Sequence, residues 1–353
     1  MKANVLPCTA YVLAAEHQFP PQQLNNGQLV AVLKELTGPK AAKFAAKVAP
    51  YLGVERRHFC RDIHQSICPA TPSNSTLSSR VIKQLLSKTQ IELNQLDYLI
   101  GHTTTPDTQL PANIAWVADK LKFQGPFMEL RQACTGFVSA LQIALPRMAL
   151  LKKPIAIVGS ETGSVYFNYD ANFADNSQLV NYMQMGDGAG GVLLSATEDD
   201  SNKAVGVISN CFTGQVGVGL QPGLALDAGS QSIFRQHGCF HHHTTDVMKH
   251  GAKLFQQSVR TLAELGHSID SFDYIVPHQA NGHIDVQLSQ AYDIDPCKIV
   301  NHARHWGNLG SAAIWCSFSQ LINSGKLKSG NKVAILGAEA TKYMYGGFIY
   351  CHH

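Results

Sequence analysis

The feature that most limits what this chain can fold into is an internal repeat. Three segments recur in the same order, each pair offset by roughly 175 residues, about one domain's length. QLDYLIGHTTT (95–105) resembles SFDYIVPHQAN (271–281), ACTGFVSALQIAL (133–145) resembles NLGSAAIWCSFSQLI (308–322), and PIAIVGSETG (154–163) resembles KVAILGAEAT (332–341). In turn these are an apolar run closing on a histidine, a small-residue turn feeding an amphipathic helix, and a buried strand ending in glycine. A 353-residue chain built this way is a duplicated α/β unit, with halves at 1–200 and 201–353. Strands rich in Val, Ile and Leu alternate with helical stretches at 73–88 and 247–265, which implies buried, largely parallel sheets with helices packed on them. Two sheets with helices between and around them is the economical architecture. The duplication also bears on function. Cys134 and Asn308 fall at nearly equivalent places just before a helix, and His278 ends the counterpart of the strand leading to His102. A pseudo-twofold fold brings these half-sites together, so one active site made from both halves is expected.

Composition narrows the class. A 45% hydrophobic content supports a substantial core. Only 15% of residues are charged, the net charge is +3, and no block of like charges suggests a nucleic-acid partner. The N-terminal MKANVLPCTAYVLAAEHQFP is interrupted by polar residues and prolines before a signal-peptide core develops. No apolar run approaches the roughly 18 to 20 residues of a membrane helix. The expectation is a cytoplasmic protein with no membrane association. Nine cysteines without a C-x-x-C pair fit a reducing compartment. The densest of the sixteen histidines, His237, His241, His242 and His243 around Cys239, have neighbours pointing in different directions and no distant ligand pair at zinc spacing. They read as a solvated loop, with no metal.

The candidate chemistry lies at three places. Cys134, in RQACTGF, begins a helix whose dipole and free N–H groups would lower the thiol pKa and bind an oxyanion. Taken alone, a cysteine in apolar surroundings is more often core than nucleophile. His278 closes DYIVPHQAN and on position alone serves equally as a cap; Asn308, in HWGNLGSAA, on position alone is a helix N-cap. Only the combination carries the claim. MGDGAGG (185–191) lacks the lysine and spacing of a phosphate loop, so its glycines are read as permitting a tight turn and close strand packing.

With these motifs the chain resembles the ketoacyl-acyl-carrier-protein synthases of the third, initiating type. In that family a cysteine in A-C-x-G-F, a histidine in P-H-Q-A-N and an asparagine in G-N-x-x-S-A form the catalytic set, which Cys134, His278 and Asn308 match. GVERRHF (53–59), TTTPDTQLPA (103–112), VGSET (158–162) and MGDGAGGVLL (185–194) extend the match over nearly the whole chain. The resemblance implies a thiolase fold, two α/β halves in a layered α-β-α-β-α sandwich, and an acyltransferase of the EC 2.3.1 class. Cys134 would take an acyl group from an acyl-CoA or acyl-carrier-protein thioester, and no metal or redox cofactor is needed. A malonyl-type thioester would then lose carbon dioxide, with His278 and Asn308 donating hydrogen bonds to the enolate oxygen. Backbone N–H groups of Cys134 and Thr341 would form the oxyanion hole. The family is homodimeric, which would place Leu110, in the 107–111 loop, as the end wall of the partner's acyl pocket.

The chain also departs from the family. Lys47 and Tyr51 stand where a tryptophan and an arginine hold the adenine of coenzyme A. His283 replaces an arginine that docks the carrier protein, and Gln290 and Ala291 replace a lysine pair. Thr341 and Lys342 occupy a glycine-rich turn. These changes suggest a specialised relative in secondary or lipid metabolism whose acyl donor is not gripped by its adenine. The alternatives are an acyltransferase passing the acyl group from Cys134 to oxygen or nitrogen, and a non-catalytic scaffold.

Overall fold

The computed structural model describes residues 3–65, 68–169, 174–197, 203–227 and 239–353. The first half contains β1 (Asn4–Gln18), β2 (Gln23–Asn25), α1 (Asn26–Leu36), α2 (Pro39–Leu52), β3 (Arg56–His58), α3 (Asn74–Thr89), β4 (Tyr98–His102), α4 (Asn113–Leu121), β5 (Phe127–Leu130), α5 (Gly136–Leu151), β6 (Ile155–Glu161), α6 (Asn176–Gln184) and β7 (Gly188–Ser195). The second contains β8 (Gly206–Gln215), β9 (Leu224–Asp227), β10 (Cys239–His242), α7 (Thr244–Glu264), β11 (Tyr274–Pro277), α8 (Ile284–Tyr292), α9 (Ala303–Trp306), α10 (Ala313–Asn323), β12 (Lys332–Glu339) and β13 (Met344–His352). The helices expected at 73–88 and 247–265 are α3 and α7, each within a few residues.

The two expected sheets are joined. Nine strands form one hydrogen-bonded sheet in the order β11-β12-β13-β8-β1-β7-β6-β4-β5. The long β1 makes the join, pairing through Asn4–Val12 with β8 and through Tyr11–Gln18 with β7. Its register to β8 shifts between Leu6 and Thr9, across Pro7, which has no N–H to give a ladder. The largely parallel arrangement is also corrected. Among the described strands only β4–β5, β4–β6 and β11–β12 are parallel, while the strands at the centre are antiparallel. Strands covered on both faces read as continuous apolar runs whatever their direction, and the short 340–343 turn between β12 and β13 allows only an antiparallel return.

Side-chain alternation on this sheet produces the layers. On β6, Ile155 and Ile157 face the central helices α5 and α10, whereas Ala156 and Val158 face α3 and α4. The central helices supply Phe137, Leu141, Ile314, Trp315 and Phe318 to a core shared with strands of both halves, including Ile100 and Ile335. On the far side, Leu254 and Leu262 of α7 and Leu288 of α8 cover Ile275, Ala334 and Leu336. The result is the α-β-α-β-α sandwich, with α5 and α10 in its middle layer.

The MGDGAGG glycines serve packing. A Cβ at Gly190 would lie 2.5 Å from the Cys316 nitrogen, and one at Gly186 would lie 2.0 Å from the Trp306 carbonyl oxygen. Asp187 is buried and holds the Cys60 and Ser164 N–H groups at 2.6 and 3.0 Å. The histidine-rich segment is not a solvated loop where it is described: Cys239–His242 is β10, antiparallel to β9. Phe240 is buried beside Phe167, and His242 Nδ1 lies 2.9 Å from Asn181 Oδ1. The apolar Phe240 decides this, because it draws the flanking histidines onto a strand. His237 lies outside the described residues. Among the described residues no helix is long and apolar enough to cross a membrane.

Candidate active site

Cys134 lies in the turn between β5 and α5, half-buried. The helix does not begin at the cysteine. Thr135 is the N-cap, Gly136 is the first helical residue, and the Gly136 N–H donates to Ala133 O at 3.0 Å. The thiol pKa is raised, not lowered. Burial is the main cause, and the carboxylates of Glu339 and Glu161 add to it. Burial outweighs the dipole, and the dipole is itself offset because Glu339 Oε2 accepts the Thr135 N–H at 2.9 Å and the Thr135 hydroxyl at 2.6 Å, so a carboxylate occupies the helix start.

His278 follows β11. Its N–H donates to Leu336 O at 2.7 Å, and a Cβ at the next residue of β12, Gly337, would lie 3.1 Å from the Cys134 carbonyl oxygen. The histidine and the cysteine turn therefore meet across the end of β12. Burial alone takes the imidazole pKa down to about 4, so the ring is neutral at pH 7. Its Nδ1 is buried with no partner among the described residues. The first-half counterpart, His102, is committed elsewhere: Trp315 Nε1–H donates to its Nε2 at 3.1 Å, and burial holds its pKa at about 3. One half-site of the duplicated pair is thus spent on the core.

Asn308 is not a helix N-cap, since a 3-10 turn at Gly310–Ala312 separates it from α10. Its backbone is pinned to the end of α6 and the segment before β7, with its N–H donating to Gln184 O at 2.8 Å and its carbonyl accepting from Gly186 N at 3.0 Å. Its Oδ1 accepts the Gly310 N–H at 3.0 Å, which leaves the amide NH2 free to donate. The Ser311 hydroxyl donates to Gln132 O at 3.3 Å, tying the Asn308 turn to the segment that carries Cys134. Thr341 sits in the 340–343 turn, and its hydroxyl donates to Glu339 Oε1.

The structure therefore brings Cys134, His278, Asn308 and Thr341 to one place. Leu110 is apart from them, 88% exposed at the tip of a loop. That loop is rooted at the site, because Thr104 and Thr105 both donate to Glu161. Lys47 and Tyr51 are exposed on α2, one turn apart. His283 packs against Gly53 and places Nε2 2.8 Å from Pro50 O. Sequence reasoning missed Glu161 and Glu339 as members of the site. Both close the repeated strand motif, as VGSE and LGAE, which marks the two positions as equivalent but says nothing of their burial or partners.

Residues 128–210 match the family model for 3-oxoacyl-[acyl-carrier-protein] synthase III, and residues 262–349 match its C-terminal model. The beta-ketoacyl-[acyl-carrier-protein] synthase III of Rickettsia felis is 30% identical over 289 residues, covering 79% of this chain and 82% of that protein. The chain belongs to the beta-ketoacyl-acyl-carrier-protein synthase III family. It is accordingly a condensing enzyme of the acyltransferase type, as its motifs indicated. Two solved structures show the same thiolase fold for this synthase III. A tetronic acid condensing enzyme superposes with a TM-score of 0.80 at 22% identity, covering 97% of this chain and 99% of that one. The synthase III of Pseudomonas aeruginosa PAO1 gives a TM-score of 0.77 at 23% identity, covering 98% of each.

Proposed function

We propose that this synthase III takes an acyl group from a thioester onto Cys134 and joins it, by decarboxylative Claisen condensation, to a malonyl-type thioester. The observation that supports the reading is the meeting of the Cys134 turn with the neutral His278 across the end of β12, with the donor-oriented Asn308 turn tied through Ser311 to Gln132 in the segment that carries Cys134. Cys134 sulfur attacks the acyl thioester, its proton leaves with the departing thiol, and the N–H groups of Cys134 and Thr341 hold the oxyanion. The malonyl-type thioester then loses carbon dioxide, and its electrons pass to an enolate. His278 and Asn308 each donate to the enolate oxygen, a contribution on the order of 3 kcal/mol per donor. The enolate carbon attacks the acyl-cysteine and expels the Cys134 thiolate. These steps need no metal or redox cofactor.

The departures from the family support a specialised pathway. Lys47 and Tyr51 offer an ammonium and a phenol in place of a purine sandwich, and Gln290 and Ala291 leave α8 without a lysine or arginine where a carrier protein would dock. The enzyme works as a cytoplasmic homodimer, with Leu110 reaching the partner's acyl pocket.

The test is to incubate the protein with a panel of acyl-pantetheine thioesters and weigh it intact. Cys134→Ala should abolish the mass increase, and retained labelling would overturn the reading. His278→Ala and Asn308→Ala should slow carbon dioxide release by roughly two to three powers of ten while sparing acyl loading. Loading with no carbon dioxide release from any malonyl thioester would place the enzyme among acyltransferases to oxygen or nitrogen.

A further inference from the structure

Glu161 and Glu339 are 2% and 3% exposed, and no lysine or arginine pairs with either among the described residues. A buried carboxylate without a cation is retained only if hydrogen bonds replace its water. Here the replacement follows one pattern twice. Glu339 closes β12 and gives Oε2 to the backbone N–H and hydroxyl of Thr135, and Oε1 to the Thr341 hydroxyl. Glu161 closes β6 and gives Oε2 to the backbone N–H and hydroxyl of Ser311, at 3.1 and 2.8 Å, and Oε1 to the Thr104 and Thr105 hydroxyls. Each glutamate comes from one half, and the helix start it holds belongs to the other. Thr135 follows the cysteine directly, and Ser311 lies one turn past Asn308. Gly310 lets the second contact form: its φ is +50°, and a Cβ there would lie 2.6 Å from Glu161 Oε2.

We infer that Glu339 and Glu161 are a crossed pair of positioning residues, Glu339 setting the Cys134 turn against the Thr341 turn and Glu161 setting the Asn308 turn against the 103–105 segment. The inference rests on the proposed roles of Cys134 and Asn308. A hydrogen-bonding cradle must sit within about 0.5 Å of its productive place, and a two-oxygen tie between facing turns supplies that constraint. The tie also has an electrostatic signature. Both carboxylates act on Cys134, raising its pKa, so removing either charge should make the thiol easier to ionise.

The experiment separates the half-reactions in the full-length protein. Acyl loading is followed by intact mass with acetyl-pantetheine, and carbon dioxide release from malonyl-pantetheine is followed in a Cys134→Ala background. Glu339→Ala should slow loading roughly tenfold or more and leave carbon dioxide release nearly unchanged, and Glu161→Ala should do the reverse, as expected for loss of oriented donors. Glu339→Gln and Glu161→Gln keep the shape, so they report even where the alanine variants do not fold. Both should shift the pH profile of Cys134 alkylation by iodoacetamide to lower pH; because they keep the shape and so the burial that also raises this pKa, the shift reports the lost charge. Folded variants that lose both half-reactions equally, or neither, or that leave the alkylation profile in place, would overturn the inference. Its failure is distinct from failure of the proposed function, since labelling that survives Cys134→Ala removes that function whatever the glutamates do.

Discussion

At the scale of single residues, desolvation sets the charge state of the site. The His278 ring has an ordinary pKa of 6.5, and burial lowers it to about 4. The neutral form, which can donate to an enolate oxygen and still be uncharged at rest, is therefore present above about 4 and lost as pH falls through that value. The rate of malonyl decarboxylation should stay level on the acid side down to roughly pH 5 and then fall. A limb centred near 6.5 would show that the ring keeps its water. The same sign applies to stability: unfolded His278 binds a proton below 6.5 and folded His278 does not, so its share of stability is lost between 6.5 and about 4 as pH falls.

Among elements, the contact of β7 with α10 bears directly on the proposed chemistry, because the Asn308 turn leads into α10. Gly190→Ala would place a Cβ 2.5 Å from the Cys316 nitrogen and 2.8 Å from the Trp315 carbonyl carbon, both of them backbone. Neither atom can turn aside as a side chain would. Urea denaturation should register a loss of about 1–3 kcal/mol, with a fall in activity as α10 is pushed out. Gly251, inside α7, has nothing within 4 Å of its would-be Cβ. Gly251→Ala should therefore be stabilising, by about 0.5–1 kcal/mol, through helix propensity alone. Equal responses from the two substitutions would show that close strand packing is not what Gly190 serves.

Considered as a whole, the molecule has one covered and one open sheet edge. At β11, Val300 N–H donates to Ile275 O at 2.9 Å, so chain 299–300 shields that edge. At β5, Phe127 and Met128 are 42% and 36% exposed, and the 107–111 loop with its exposed Leu110 lies beside them, held by Arg131 on Gln109. An open edge with apolar side chains invites pairing with a second copy. Sedimentation at micromolar concentration should give a dimer, and Met128→Lys on the same edge should shift it towards monomer. A wild-type monomer would remove both the dimer and the role of Leu110.

Much of this was written in contiguous residues. The apolar runs gave strands buried on both faces, and the turns around Cys134, His278 and Asn308 gave the groups to which the proposed chemistry is assigned, because turn chemistry and periodicity are local properties. Strand direction was not legible, since a strand covered on both faces carries the same pattern either way. Nor was β10, where a single phenylalanine outweighs two histidines once a core is available to receive it. The sign of the Cys134 pKa shift and the membership of Glu161 and Glu339 came only from the tertiary structure. A glutamate closing a strand reads as a solvent-facing end, and it becomes a buried clamp only when another half of the molecule, far along the chain, brings a helix start to its oxygens. Sequence determined which side chains are the candidates to react; packing between segments far apart in the chain decided what charge they meet and what holds them in place.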